Sequence, residues 1–177
     1  MTERYLLDTS VMMLLVRAGE PGRAVDQRFE LRTAAERPLV SIVTHAELQV
    51  LAQRNQWGPA RMRALVLALA NVTTINIRGG ALLDAFLSVE LASRQHRPSA
   101  RTMSHHDLWI AATAKVARAT LLTTDKDFAH LSPINCRVVL IDPHTGTLQE
   151  TSNGREEEEN RVGRRHRGDA RVRHGRR

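Results

Sequence analysis

Five short apolar and β-branched runs, at 4–8 (RYLLD), 39–43 (LVSIV), 72–77 (VTTINI), 120–124 (TLLTT) and 137–141 (RVVLI), do most to narrow what this chain can fold into. Each has strand length and carries little polarity, as a strand covered on both faces requires. Between them the apolar spacing becomes helical over 10–18, 22–36, 44–55, 59–70, 80–96 and 105–118, with one short helical turn at about 126–131. Gly58 followed by Pro59 marks a helix onset, because proline at the first helical position gives up an amide that would have no partner there. Strands alternating with helices predict an α/β fold with a mainly parallel sheet. In such sheets ligands bind beyond the carboxyl ends of the strands, so the polar residues at those junctions are the first candidates for function.

The alternation stops near residue 150, and the composition changes there. The segment 151–177 holds nine Arg, the run Glu156 to Glu159, Asp169, and as apolar side chains only Val162, Ala170 and Val172, too few to bury a core. We therefore expect one folded domain over 1–150 and a disordered Arg/Glu-rich tail over 151–177. Nine Arg against five acids gives the tail +4 of the chain's +7, so residues 1–150 carry +3, and the pI near 11.0 is mostly a tail property. A disordered Arg-rich tail attracts RNA phosphates without sequence preference. Cys136 is the single cysteine, which excludes an intramolecular disulfide or a cysteine-rich zinc site and suits a reducing compartment. Glu3, Arg4 and Asp8 stand where a signal peptide needs apolar residues, and no run approaches the ~18 apolar residues of a membrane span. The expectation is a cytoplasmic protein with no membrane partner.

Four acids fall at or near helix starts: Asp8 in LLDTSV, Glu47 in THAEL, Asp107 in SHHDLWIAATA and Asp125 in LLTTDKDF. Each has a local explanation. Asp8 and Asp125 can cap the helices that follow, while Thr44-x-x-Glu47 and Ser104-x-x-Asp107 match a capping box. Taken together they point elsewhere, because four carboxylates at one sheet edge repel unless a cation holds them. Oxygen-only clusters suit Mg²⁺, or Mn²⁺; zinc would want the imidazoles of His105 and His106 plus a motif such as HExxH, which is absent. The sequence also lacks the glycine-rich phosphate loops and the GxSxG nucleophile elbow.

LLDTSV, SIVTHAEL, HDLWIAATA and LLTTDKDF, in that order over residues 4–131, resemble the PIN domain of the VapC ribonucleases of bacterial toxin–antitoxin systems. The resemblance implies a three-layer α/β/α fold and Mg²⁺-dependent endoribonuclease activity on structured RNA, tRNA or rRNA, restrained by a cognate antitoxin bound across the active groove. It implies a catalytic and metal-binding quartet of Asp8, Glu47, Asp107 and Asp125. The Thr9 or Ser10 hydroxyl would stand beside the first Asp, and Asp127 would neighbour Asp125. Asp8 and Asp107 are then the expected direct metal ligands, with Glu47 and Asp125 completing the site through water or a second ion.

Phosphates need cations at the rim of such a site, and Arg94, Arg97 and Arg101 form the best basic stretch within the folded part. With six aromatic side chains in all, base stacking gives way to recognition of RNA shape and backbone. Trp109 and Phe128 are expected in the core. The helices over 44–55 and 59–70 carry more apolar residues than one buried stripe uses, which suggests a partner surface, for a second copy in a homodimer or for the antitoxin. Two rival readings follow from the same residues: a catalytically silent RNA-binding or interaction module whose acids serve only as caps, and a structure-specific DNA nuclease.

Overall fold

The computed structural model of the chain describes residues 3–96 and 102–149. The tail over 151–177, together with Arg97 and Arg101, lies outside them. Five strands, β1 (Tyr5–Leu7), β2 (Leu39–Ser41), β3 (Thr73–Ile75), β4 (Thr120–Thr123) and β5 (Val138–Leu140), form one sheet in the order β3-β2-β1-β4-β5, with every pairing parallel. Six α-helices surround it: α1 (Thr9–Arg17), α2 (Glu20–Phe29), α3 (Ile42–Arg54), α4 (Pro59–Ala70), α5 (Gly80–Gln95) and α6 (His105–Ala117). A 3-10 turn, Lys126–Leu131, joins β4 to β5.

Side-chain alternation along the strands divides the core into two layers. Leu6 and Leu121, paired in register, both point into the face packed by Val89, Leu108, Ile110, Phe128 and Leu131. Leu7 and Leu122, the next pair, point to the opposite face against Val11, Met12, Val25, Leu48 and Leu65. The expected sandwich of helices, sheet and helices is therefore present. The chain runs outward from β1 through β2 to β3 and then returns to the other side at β4. Beyond the carboxyl ends of β1 and β4 the connections part in opposite directions, and that crevice is the one such topologies use for ligands.

Two boundaries differ from the sequence expectation. The helix expected over 22–36 ends at Phe29, where Glu30 takes φ 52° and its amide bonds back to Asp26. The second strand stops at Ser41, whose side chain accepts the Val43 amide at 3.3 Å and starts α3 at Ile42, two residues before the expected Thr44.

Candidate active site at the carboxyl edge of the sheet

Asp8 leaves β1 in an extended conformation and caps α1, accepting the Thr9 amide at 2.6 Å. Its other oxygen accepts hydroxyl protons from Ser10 at 2.7 Å and from Thr123, at the end of β4, at 2.8 Å. Asp8 is only 5% exposed, so three donors replace its water. Burial pushes its pKa above the usual carboxylate range; the Ser10, Thr123 and Thr9 bonds pull it back, and the negative charge of Asp107 adds to the rise. Ser10 also accepts the Thr124 amide at 3.1 Å, which fastens the start of α1 to the end of β4.

Asp107, the third residue of α6, is half-buried and forms a reciprocal pair with the cap residue Ser104. The Ser104 hydroxyl donates to its carboxylate at 2.7 Å, and the Asp107 amide donates to the Ser104 oxygen at 3.2 Å. Burial raises its pKa, Ser104 opposes that rise, and the charges of Asp125 and Glu47 add to it. Asp125 is exposed, caps the 3-10 turn by accepting the Asp127 amide at 2.8 Å, and gives its own amide to Thr123 at 3.0 Å. Asp107 thus feels Asp8, Glu47 and Asp125 at once, and the four acids read from the sequence gather on one edge.

The capping explanations divide. Asp8 and Asp125 do cap helices, and at α6 the cap is Ser104, which bonds Asp107. Glu47 does neither: α3 begins at Ile42, so Thr44 and Glu47 are already inside it and the expected box with the Thr44 amide cannot form. Glu47 instead accepts the Thr9 hydroxyl and, at 2.8 Å, the Nδ1 of His106. The Thr9 side chain therefore serves Glu47, whereas Ser10 serves Asp8. Thr123 and the bond from His106 to Glu47 escaped the sequence reading. A hydroxyl residue closing a strand beside an acidic junction was the available signal for the first.

Of the expected rim cations, Arg94 lies among the described residues, and Arg97 and Arg101 lie outside them. Arg94 is held by Glu90 at 2.7 Å, an i,i+4 pair on α5. Phe128 is fully buried as expected, and Trp109 is partly buried, with its ring 4.4 Å from that of Phe86. A recess of about 530 Å³ lies at the opposite, amino edge of the sheet, lined by Glu3, Arg4, Lys115, Arg118 and Arg137 among others.

Every acid of the group offers hard oxygen donors, the chemistry Mg²⁺ and Mn²⁺ select. As the side chains lie, no three His, Cys, Asp or Glu groups among the described residues stand close enough to hold a single ion. Mg²⁺ is usually held through one or two carboxylates with its remaining positions filled by water, and the donor chemistry of Asp8 and Asp107 fits that arrangement.

A family model described as PIN domain matches residues 5–132. The chain is 33% identical over 129 residues to Ribonuclease VapC5 of Mycobacterium tuberculosis, an alignment covering 71% of this chain and 86% of that protein. Its fold is similar to that of VapBC2 from Rickettsia felis bound to a promoter DNA fragment, with a TM-score of 0.63 and 18% identity over 76% of this chain and 96% of the other. It is also similar to VapBC-5, of the VapBC family of toxin–antitoxin systems from M. tuberculosis, with a TM-score of 0.57 and 22% identity over 79% and 100%. From the family match over 5–132 and this one-third-identical relative, the chain belongs to the PIN-domain family and, within it, to the VapC group.

Proposed function

We propose that the protein is the toxin of a toxin–antitoxin pair, a Mg²⁺-dependent endoribonuclease that hydrolyses backbone phosphodiesters in structured RNA such as tRNA or rRNA. The observation that carries this reading is the meeting of the acids at the switch point of the sheet, where Thr123 of β4 bonds Asp8, and Thr9 of α1 and His106 beside Asp107 both bond Glu47. A fold holds such a repulsive group when a cation relieves it. Asp8 and Asp107 would hold the ion, with Glu47 and Asp125 reached through water. The bound cation, Mg²⁺ or Mn²⁺, supplies neutralisation of phosphate charge and a water of lowered pKa. Thr123 and Ser10 keep the Asp8 carboxylate oriented, Ser104 does the same for Asp107, and Glu47 accepts a proton or a hydrogen bond from the attacking water.

Cognate antitoxin and a second copy of the chain are the proposed protein partners. Val66 and Leu67 on α4 are 62% and 64% exposed, and Leu67 rims a recess of about 320 Å³ whose apolar lining includes Leu15, Leu31, Ala64, Ala68 and Val72. Val66 and Leu67 are among the apolar residues the sequence leaves in surplus on that helix pair, and they suit an apolar segment of a partner. The Arg-rich tail over 151–177 adds screened, nonspecific attraction for RNA, so its deletion should lower RNA affinity and its salt dependence without changing the chemical step. An RNA substrate agrees with a cytoplasmic location, and no helix among the described residues is long and apolar enough to cross a membrane.

The caps formed by Asp8 and Asp125, and the pairing of Asp107 with the cap residue Ser104, favour a second reading, a silent module in which these acids serve only the fold. Sequencing RNA ends in cells after induced expression, beside an Asp8→Ala control, separates the two. Matched RNA and DNA hairpins presented to the purified protein distinguish ribonuclease from DNA nuclease.

A further inference from the structure

Glu47 lies within α3, and its two hydrogen-bond partners come from two other helices. Thr9, the first residue of α1, donates its hydroxyl to one carboxylate oxygen. His106, the second residue of α6, meets the other through Nδ1 at 2.8 Å. Glu47 is 26% exposed on its side chain and has three rotatable bonds, so holding it in one place costs rotamer entropy that these two bonds offset.

We propose that His106 is a positioning residue for the reaction, the α6 arm of a two-point clamp that fixes the Glu47 carboxylate beside the metal-binding edge. The proposal rests on the ribonuclease reading above. His106 adjoins Asp107 on the same helical turn, so the clamp ties Glu47 to the same rigid element that carries Asp107. Each carboxylate oxygen has two lone pairs, and the clamp occupies one on each. The remaining pairs are left for a water, a role in which Glu47 is a fixed acceptor for the nucleophile more than a direct metal ligand. The proton on Nδ1 is assigned from the acceptor facing it. An Nδ1–H donates in that neutral tautomer and in the cation alike, so the clamp is independent of the charge on the ring. The rest of the imidazole stays open, with 65% of the side chain exposed.

The test uses the full chain with a fixed RNA hairpin and compares His106→Ala, His106→Asn, Glu47→Ala and the Glu47→Ala/His106→Ala double variant. Asparagine places an amide N–H close to the position of Nδ1. His106→Ala should lower kcat by about 10- to 100-fold, the usual effect of removing a residue that orients a metal-site side chain. KM for RNA and the calorimetric affinity for Mn²⁺ should stay within about threefold, since on this account neither RNA nor metal touches His106. His106→Asn should recover most of the loss. In the Glu47→Ala background, His106→Ala should cost nothing further, because the group it positions is already gone. A loss carried in KM, a collapse of Mn²⁺ affinity, no recovery with Asn, or additive losses in the double variant would each overturn the clamp.

A readout without catalysis separates this failure from failure of the ribonuclease reading. In metal-free protein, the imidazole ¹⁵N resonance of His106 Nδ1 should shift on Glu47→Gln, and an unmoved resonance overturns the clamp. Absence of RNA cleavage by the wild type in either Mg²⁺ or Mn²⁺ overturns the ribonuclease reading, and with it the proposed role of the clamp in the reaction.

Discussion

Thr123, the last residue of β4, donates its hydroxyl to the Asp8 carboxylate at 2.8 Å across the junction of two paired strands, and both side chains are buried. The same oxygen accepts the Asp125 amide at 3.0 Å, so one threonine links the first acid of the group to the last. Thr123→Val keeps the shape and deletes the donor. A buried carboxylate left short of a partner costs about 1–3 kcal/mol, which for a chain of this size lowers Tm by several degrees. A calorimetric melt checks this, and Thr123→Ser should restore most of the loss.

Asp107→Asn should act in the opposite direction on stability. The folded-state pKa of Asp107 lies above its unfolded value, so ionisation disfavours the folded state. Stability is then fully present below the unfolded carboxylate pKa and is lost as pH rises through the raised folded value. Metal-free Asp107→Asn should therefore melt above wild type at pH 7, still accepting the Ser104 hydroxyl through its amide oxygen, and the gap should close as pH falls toward 4. Melts across that range test both the sign and the closing of the gap.

Most of the fold was legible because its cues are local. Runs such as TLLTT need no partner to be recognised as buried strands, and Gly58-Pro59 marks the start of α4 where the structure has it. Asp8 and Asp125 were legible for the same reason, since each stands where a strand gives way to a helix, and Asp107 was legible from the Ser104-x-x-Asp107 spacing at the start of α6. What the sequence could not show depends on tertiary docking. Thr44-x-x-Glu47 has the spacing of a box, yet Ser41 reaches the Val43 amide first and leaves Glu47 free to meet α1 and α6. The helix over 22–36 looked continuous, while the chain turns at Glu30 with a positive φ that propensity disfavours. His106 lies 59 positions from Glu47 in the sequence, and no periodicity joins them.

Cys136 should be unreactive in the folded protein. It is 7% exposed, and burial raises its thiol pKa to about 11 against a smaller lowering by Lys115. At pH 8 that leaves roughly one thiolate in a thousand. Iodoacetamide should label native protein far more slowly than protein in denaturant. Rapid native labelling would show that the layer around Phe128 and Leu131 opens readily.

Gly146 ties the end of the folded domain to the helical layer. Its φ is +74°, and a Cβ there would lie 2.2 Å from the Pro21 carbonyl oxygen at the start of α2. Gly146→Ala should cost roughly 1–3 kcal/mol, from the left-handed backbone and the displaced contact together. Urea unfolding of the two proteins measures it, and an unchanged midpoint would mean that the turn over 142–149 does not dock.

The central claim is that the acids at the switch point form a metal-dependent cleavage site. Cleavage of one structured RNA is followed at several Mg²⁺ and Mn²⁺ concentrations for wild type, Asp8→Asn and Asp107→Asn, with melts of each protein run in parallel. The account predicts metal-dependent cleavage by the wild type, at least a hundredfold loss in either variant if a direct ligand contributes about 3 kcal/mol or more to the transition state, and a metal-induced rise in Tm that both variants lose. Undiminished cleavage by folded variants at saturating metal, or a wild-type melt indifferent to millimolar Mg²⁺ and Mn²⁺, would contradict it.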